Sequence, residues 1–246
     1  MLRKTLIFGI FCIGLPIAAP AQEGEIFIPG ANNSDTAPPP APQSALAACL
    51  AAPDAANCAA VNLDPSGMAF ESATGDPSVQ FETLVLDLDD GKVQARPEPP
   101  AKAPDYTAAA PALTHGKVAL PSVAVTIEFD YDSASIRADQ IGKVASLIGA
   151  LQDPALKGAA YAVIGHTDAV GSEGYNCDLS RRRAASVTSA LTGGYVTLPL
   201  YPVGFGEHVL KNTYDPRAPE NRRVTFMRLP AQYDNVLATA GAVCRY

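Results

Sequence analysis

The stretch that most constrains this chain runs from Gly165 to Arg183. Tyr161 to Gly165 is apolar on both faces, as an interior strand should be, and it runs into His166-Thr167-Asp168. Gly171 turns the chain, and Ser172 is placed to cap a helix that continues to about Thr192 and stops at Gly193-Gly194. On that helix Asn176, Leu179 and Arg183 are separated by three and four, so they share one face. The connecting turn is short, which directs this face toward the strand end that carries Asp168. A guanidinium offers forked donors to a carboxylate, and an aspartate accepts from an ammonium. The two side chains could therefore hold a ligand bearing both groups, with ~1.5–3 kcal/mol per sheltered charge-assisted bond. Spacing equally permits Asp168 and Arg183 simply to pair with each other.

The surrounding pattern alternates strands and helices. Val123, Val125, Ile127 and Phe129 share one face of a strand that runs out into Tyr131-Asp132-Ser133-Ala134. Ile141, Val144, Ala145, Ile148 and Leu151 fall at helical spacing, with Pro154 just beyond. Leu200 to Phe205 and Arg223 to Leu229 read as two further strands. The predicted fold is α+β, a β-α-β-α-β-β arrangement over 122–229 with one layer of helices on one mixed sheet.

The first half of the chain reads differently. Arg3 and Lys4 precede an apolar run from Leu6 to Ile17 that ends in Ala18-Ala19-Pro20-Ala21, the pattern of a secretory signal over residues 1–21. An uncleaved anchor is the alternative, although the run is short for the ~20 residues of a membrane span. Residues 22–121 are expected to be a largely extended Pro/Ala-rich tether. Within it, 44–58 reads as a short helix capped by Ser44. Residues 81–94 read as a hairpin, with Leu84, Leu86 and Leu88 on one face and Asp90-Gly91 at the turn. Residues 230–246 are a C-terminal tail.

An exported chain with an even number of cysteines favours disulfides. Cys12 lies in the leader, and the remaining four allow three pairings. Cys49–Cys58, which closes a short local loop, and Cys177–Cys244, which ties the tail to the helix after Asp168, are the expected pairs. No Cys/His spacing suggests a metal site, and no cofactor is expected. The formal charge is −7; without Arg3 and Lys4, 16 positive groups face 25 negative ones, a net −9. Such a chain, with no basic block, is a poor candidate for nucleic acid.

Five separated motifs stand in one order: Phe129-Asp130-Tyr131-Asp132-Ser133-Ala134; Gly165-His166-Thr167-Asp168; Tyr175-Asn176 with Leu179-Ser180 and Arg183-Ala184; Gly204-Phe205-Gly206-Glu207; and Asn221-Arg222-Arg223-Val224. Together they resemble the OmpA-like C-terminal, peptidoglycan-associated domain family over about Ser122 to Leu229. The resemblance implies non-covalent binding of peptidoglycan at the diaminopimelate of its stem peptide. Asp168 and Arg183 would hold the ligand's charged groups. Tyr131, Asp132, Ala134, Thr167, Asn176 and Leu179 would line the same pocket, and Arg222 would support it. Cys177 directly after Asn176, and a tail reaching Cys244, depart from the family pattern and could bring the tail near the pocket. No alternating amphipathic strands precede the domain, so the membrane barrel of some relatives is not expected. The expected place is the periplasm, with outer-membrane association left open.

The residues also allow two other classes. In one, the helix at 44–58 and the hairpin at 81–94 make the protein an envelope scaffold that captures a protein partner. In the other, His166, Asp168 and Ser180 supply the residue types of a hydrolytic triad. His166 and Asp168, two apart on a strand, do not make a nucleophile relay, and no Gly-x-Ser-x-Gly is present, so catalysis is not expected.

Overall fold

Ser44 accepts from the Ala47 N–H at 3.1 Å and opens α1 (Ala45–Ala51). Pro53 ends the helical run, and Asp54 caps a second short helix, α2 (Ala55–Ala59). The single expected helix is therefore two, stapled by the Cys49–Cys58 disulfide. These observations come from a computed structural model that describes residues 40–61, 63, 78–102, 104–106, 109–130 and 132–245. The expected signal segment, the Pro/Ala-rich stretch to residue 39 and Tyr131 lie outside the described residues.

Six strands form one mixed sheet: β1 (Val79–Asp87), β2 (Val93–Arg96), β3 (Lys117–Val125), β4 (Tyr161–His166), β5 (Leu200–Gly206) and β6 (Val224–Arg228), in the order β2-β1-β3-β6-β4-β5. All neighbours are antiparallel except β4 and β5. Between the strands lie α3 (Ile141–Leu151) and α4 (Glu173–Gly193), and α5 (Asp234–Ala242) follows β6. The expected β-α-β-α-β-β order is thus β3-α3-β4-α4-β5-β6.

Three segments depart from expectation. The hairpin is not a free element of a tether: β1 pairs with β3 along its whole length, from Val79↔Val125 to Asp87↔Lys117. An isolated hairpin is marginal in water, and here Leu84 and Leu86 gain complete burial by joining the sheet. The strand placed at 123–129 starts earlier, at Lys117, and leaves the sheet after Val125. Pro121 is tolerated because β6 pairing begins only at Ser122, so its missing N–H falls beyond that ladder. The tail, finally, is not a bare extension but carries α5.

The sheet is covered on both faces rather than by the single helical layer expected. On one face Leu46 and Leu50 of α1, Leu147 of α3 and Val187 of α4 pack with Val125, Val163 and Phe226. On the other, Val236 and Ala240 of α5 join Leu84, Leu120, Ile164 and Phe205. Each fully buried Leu or Phe contributes ~1.5–3 kcal/mol. The Tyr161 hydroxyl donates to Leu50 O at 2.9 Å, which binds α1 to the middle of this core. On α3 the buried positions are Val144, Leu147, Ala150 and Leu151, while Ile141 and Ala145 face solvent. The helix is rotated from the face its apolar spacing suggested, because α1 adds a neighbour on that side.

The seat of α4 is set by absent side chains. A Cβ on Gly165 would come 2.1 Å from Ser180 O, a collision with backbone that cannot give way. Gly206, at φ 52°, would bring a Cβ 3.0 Å from Cys177 N. The helix therefore lies directly on the β4–β5 backbone, with Asn176 and Arg183 held close to the end of β4.

Candidate functional site

β4 delivers Asp168, and the Thr167 N–H donates to Gly206 O at 2.9 Å as the strand ends. Asp168 Oδ1 accepts from the Val170 N–H at 3.1 Å, which closes the turn, and Oδ2 accepts from Arg222 Nη1 at 2.7 Å. The Arg222 side chain is 47% exposed, that of Asp168 only 13%. This ion pair thus sits at a rim, where such pairs contribute little, roughly 0–1 kcal/mol.

Arg183 is placed differently. It is 8% exposed, its Nε donates to Ser133 O at 3.1 Å, and its guanidinium carbon stands 4.8 Å from the centre of the Phe129 ring. Asp168 and Arg183 do not pair with each other; no carboxylate among the described residues bonds to Arg183. Burial, with the nearby Arg222 and Arg182 charges, lowers its pKa, while Tyr175 and Asp168 act in the opposite direction. A guanidinium nevertheless stays charged at neutral pH.

The other expected site residues divide into three groups. Asn176, 1% exposed, donates from Nδ2 to Asp168 O at 3.3 Å and to Glu207 Oε2, so it joins the helix to the strand end. Asp132, at φ 50°, accepts from the Tyr175 hydroxyl at 2.9 Å, which brings the 132–134 turn to the helix. Leu179 is buried, Ala134 is half-buried, and the buried Thr167 hydroxyl has no partner among the described residues. Tyr131 lies outside them. Sequence reasoning did not select Phe129, Ser133, Tyr175 or Glu207 as site residues. All four lie inside the quoted motifs, but only the third dimension shows that Phe129 faces Arg183 and that Glu207 reaches Asn176.

A cavity of about 350 Å3 opens beside Arg183, walled in part by Phe129, Lys143, Arg222, Arg223 and Glu220. Five of its lining residues are basic (Arg137, Lys143, Arg183, Arg222, Arg223) and two are acidic (Glu128, Glu220). Three of the five are matched by carboxylates, Arg137 by Asp139, Arg222 by Asp168 and Arg223 by Glu82. Arg223 is internally matched. It donates from Nε and Nη2 to Glu82 Oε2 at 3.1 and 2.9 Å, with both residues almost fully buried.

The residue types of a hydrolytic triad are not assembled. Ser180 Oγ donates to Cys177 O and accepts from the Gly206 N–H, both at 2.9 Å. His166 is 1% exposed; its Nδ1 lies 3.2 Å from Val209 O, which fixes the proton on Nδ1, and its Nε2 has no partner among the described residues. Burial, then the Arg223 charge, holds its pKa well below 6.5. Cys177, Cys244 and His208 converge within 4.8 Å. Both sulfurs are joined in the Cys177–Cys244 disulfide, and His208 Nε2 lies 3.2 Å from Glu173 Oε1. This disulfide links α4 on one face of the sheet to the segment after α5 on the other. None of the described residues 230–245 lines the cavity. No helix among the described residues is long and apolar enough to cross a membrane.

Residues 128–224 match the model of the OmpA family. Outer membrane porin F of Pseudomonas fluorescens is 34% identical over 106 residues, covering 42% of this chain; the chain spans 32% of that relative's length. Among solved structures, the peptidoglycan-associated lipoprotein from Burkholderia pseudomallei is 24% identical, with a TM-score of 0.36, covering 42% of this chain and 87% of that one. The periplasmic domain of Helicobacter pylori MotB is 18% identical, with a TM-score of 0.37, covering 50% of this chain and 82% of that one.

Proposed function

We propose that the OmpA-family domain at residues 128–224 binds peptidoglycan non-covalently, through the diaminopimelate of the stem peptide, and so tethers or organises the cell envelope from the periplasm. The observation that carries this reading is Arg183. It is a guanidinium withdrawn from solvent, steadied by a backbone carbonyl and an aromatic face, with no carboxylate among the described residues. A buried cation without an anion is costly, and a ligand carboxylate would compensate it through two parallel charge-assisted bonds. Diaminopimelate adds an ammonium beside that carboxylate. Asp168 is the acceptor for it, since its partner Arg222 lies at an exposed rim and can swing aside or share the carboxylate. Asn176, tied to Asp168 O and Glu207, fixes the spacing between the two charges. The domain is read as a binding module that catalyses nothing.

Co-sedimentation with purified sacculi tests the site. Asp168→Ala and Arg183→Ala should each weaken binding by ~2–5 kcal/mol, about 30-fold or more. Retention as strong as the parent's would remove the assignment. The diaminopimelate detail has its own test, because a stem peptide carrying lysine at that position lacks the second carboxylate. It should bind far more weakly than the diaminopimelate peptide, and equal binding refutes that detail. The alternative, an envelope scaffold capturing a protein partner, gains nothing from the helix and hairpin it invoked. Leu50, Leu84 and Leu86 of those segments are buried in the domain core.

A further inference from the structure

The two disulfides keep different company. Cys49 and Cys58 are at most 1% exposed inside the core, and no His, Asp or Glu gathers with them into a possible ligand set among the described residues. Beside Cys177 and Cys244 stands an imidazole: both sulfurs and a ring nitrogen of His208 lie within 4.8 Å of one another. The sequence hides this group, because its three members come from separate elements.

Each member is held in place by the fold. Cys177 lies in the first turns of α4, seated on β5 so closely that a Cβ on Gly206 would come 3.1 Å from its sulfur. Just past that glycine the chain turns back, with the His208 N–H donating to Phe205 O at 3.1 Å. Cys244 arrives from the segment after α5. Glu173, in the first turn of α4, places Oε1 3.2 Å from His208 Nε2. The His208 side chain is 32% exposed, so an ion can reach the group from solvent.

We propose that the thiol form of this pair is a zinc site, with Cys177, Cys244 and His208 as ligands and the Glu173 carboxylate orienting the imidazole. This goes beyond the peptidoglycan reading and does not depend on it. Zn–S bonds of about 2.3 Å and Zn–N bonds of about 2.0 Å set the ligand atoms of one tetrahedral ion roughly 3.5–4 Å apart, a separation that small side-chain rotations reach once the sulfurs are unbonded. Two thiolates and an imidazole suit a borderline-soft cation rather than Mg2+ or Ca2+, which take oxygen ligands. A carboxylate beside a ligating imidazole fixes its tautomer and orientation. Binding displaces one proton from each thiol. Metal and bridge are then alternatives. A small-molecule disulfide takes two electrons from the zinc dithiolate and two protons from water, leaving the Cys177–Cys244 bond, two small thiols and released Zn2+. In either state the tail stays tied to the start of α4.

The test titrates Zn2+ into the full chain, reduced with a phosphine, against a chromophoric chelator. The reduced parent should bind Zn2+ with 1:1 stoichiometry, and the oxidised parent should not compete with the chelator. His208→Ala keeps both sulfurs and should weaken binding at least about tenfold. Because that ring is partly exposed, its loss separates removal of a ligand from loss of fold. Cys177→Ser with Cys244→Ser should abolish binding, while Cys49→Ser with Cys58→Ser should leave it in place. With Co2+ as the probe, thiolate charge-transfer absorption should appear in the reduced parent and vanish in the Cys177/Cys244 double variant. The inference is overturned if the reduced parent takes no Zn2+, if binding survives the Cys177/Cys244 replacement, or if His208→Ala binds as tightly as the parent.

Discussion

The Glu82–Arg223 cluster and the Arg183 wall border the same cavity, and each removes a guanidinium from water. Their surroundings differ. Arg223 has a carboxylate in bidentate contact and a carbonyl, Val209 O, at 3.4 Å; Glu82 also takes the Thr225 hydroxyl. Arg183 has one carbonyl and one aromatic face. The first region joins β1 to β6 across β3 and belongs to the architecture. The second holds a charge that meets no carboxylate among the described residues. Burial alone therefore does not separate an arginine that serves the architecture from one proposed to meet a ligand; the inventory of its partners is what distinguishes the two.

The largest expected effect breaks the first region. Glu82→Gln leaves Arg223 buried without its anion and should lower unfolding free energy by about 3–5 kcal/mol in a urea titration. Replacing both residues with Met should cost much less, because no charge is then stranded. Arg183→Gln should leave the urea midpoint near the parent's while wall binding is lost. A loss of stability as large as that of Glu82→Gln would erase the distinction between the two regions.

Next come the disulfides. Cys177–Cys244 spans 67 residues and Cys49–Cys58 spans 9. Loop-closure entropy assigns them about 4 and about 2–3 kcal/mol respectively. Removing the long one by paired serine substitution should therefore lower the urea midpoint more than removing the short one, and the reverse order would show that the tail is held mainly by α5 packing.

The smallest effect concerns pH. His166 is buried neutral with a depressed pKa, so its contribution is fully present above the unfolded value of ~6.5 and is lost as pH falls below it. The unfolded chain then takes up a proton that the fold refuses. Stability should decline by up to about 1.4 kcal/mol per pH unit from pH 6.5 toward 5. His166→Gln should flatten that part of the profile; an unchanged slope would place the acid sensitivity elsewhere.

What could be read from sequence followed how local the cause was. The turn from Gly165 to Ser172, the capped α4 and the strand-helix order after Val123 depend on neighbours a few residues away, and motif spacing shows them. Lys117–Pro121 did not read as strand because its Pro/Ala-rich setting resembles a linker. Its partner β1 lies some thirty residues upstream, and pairing outweighs composition. The same reason hid where α1 docks: the helix and its Ser44 cap are legible, but Leu46 and Leu50 look like any Ala-rich segment until the sheet covers them. At the site, the residue types were visible but the pairing was not. Arg222 takes Asp168, which leaves Arg183 to Ser133 and Phe129, and only the meeting of β4, α4 and the β5–β6 loop decides that choice.

The Cys177–Cys244 bridge also alters how the molecule responds to being cut. Every residue between the first turns of α4 and the C-terminal segment lies inside one covalently closed ring, including the exposed loop from Thr213 to Arg217. That loop is the kind of surface tip where proteases act. A single cleavage there opens the ring without separating the pieces. β6 and α5 stay joined to α4, still paired with the sheet, and both halves of the Asp168–Arg222 contact remain on one covalent body.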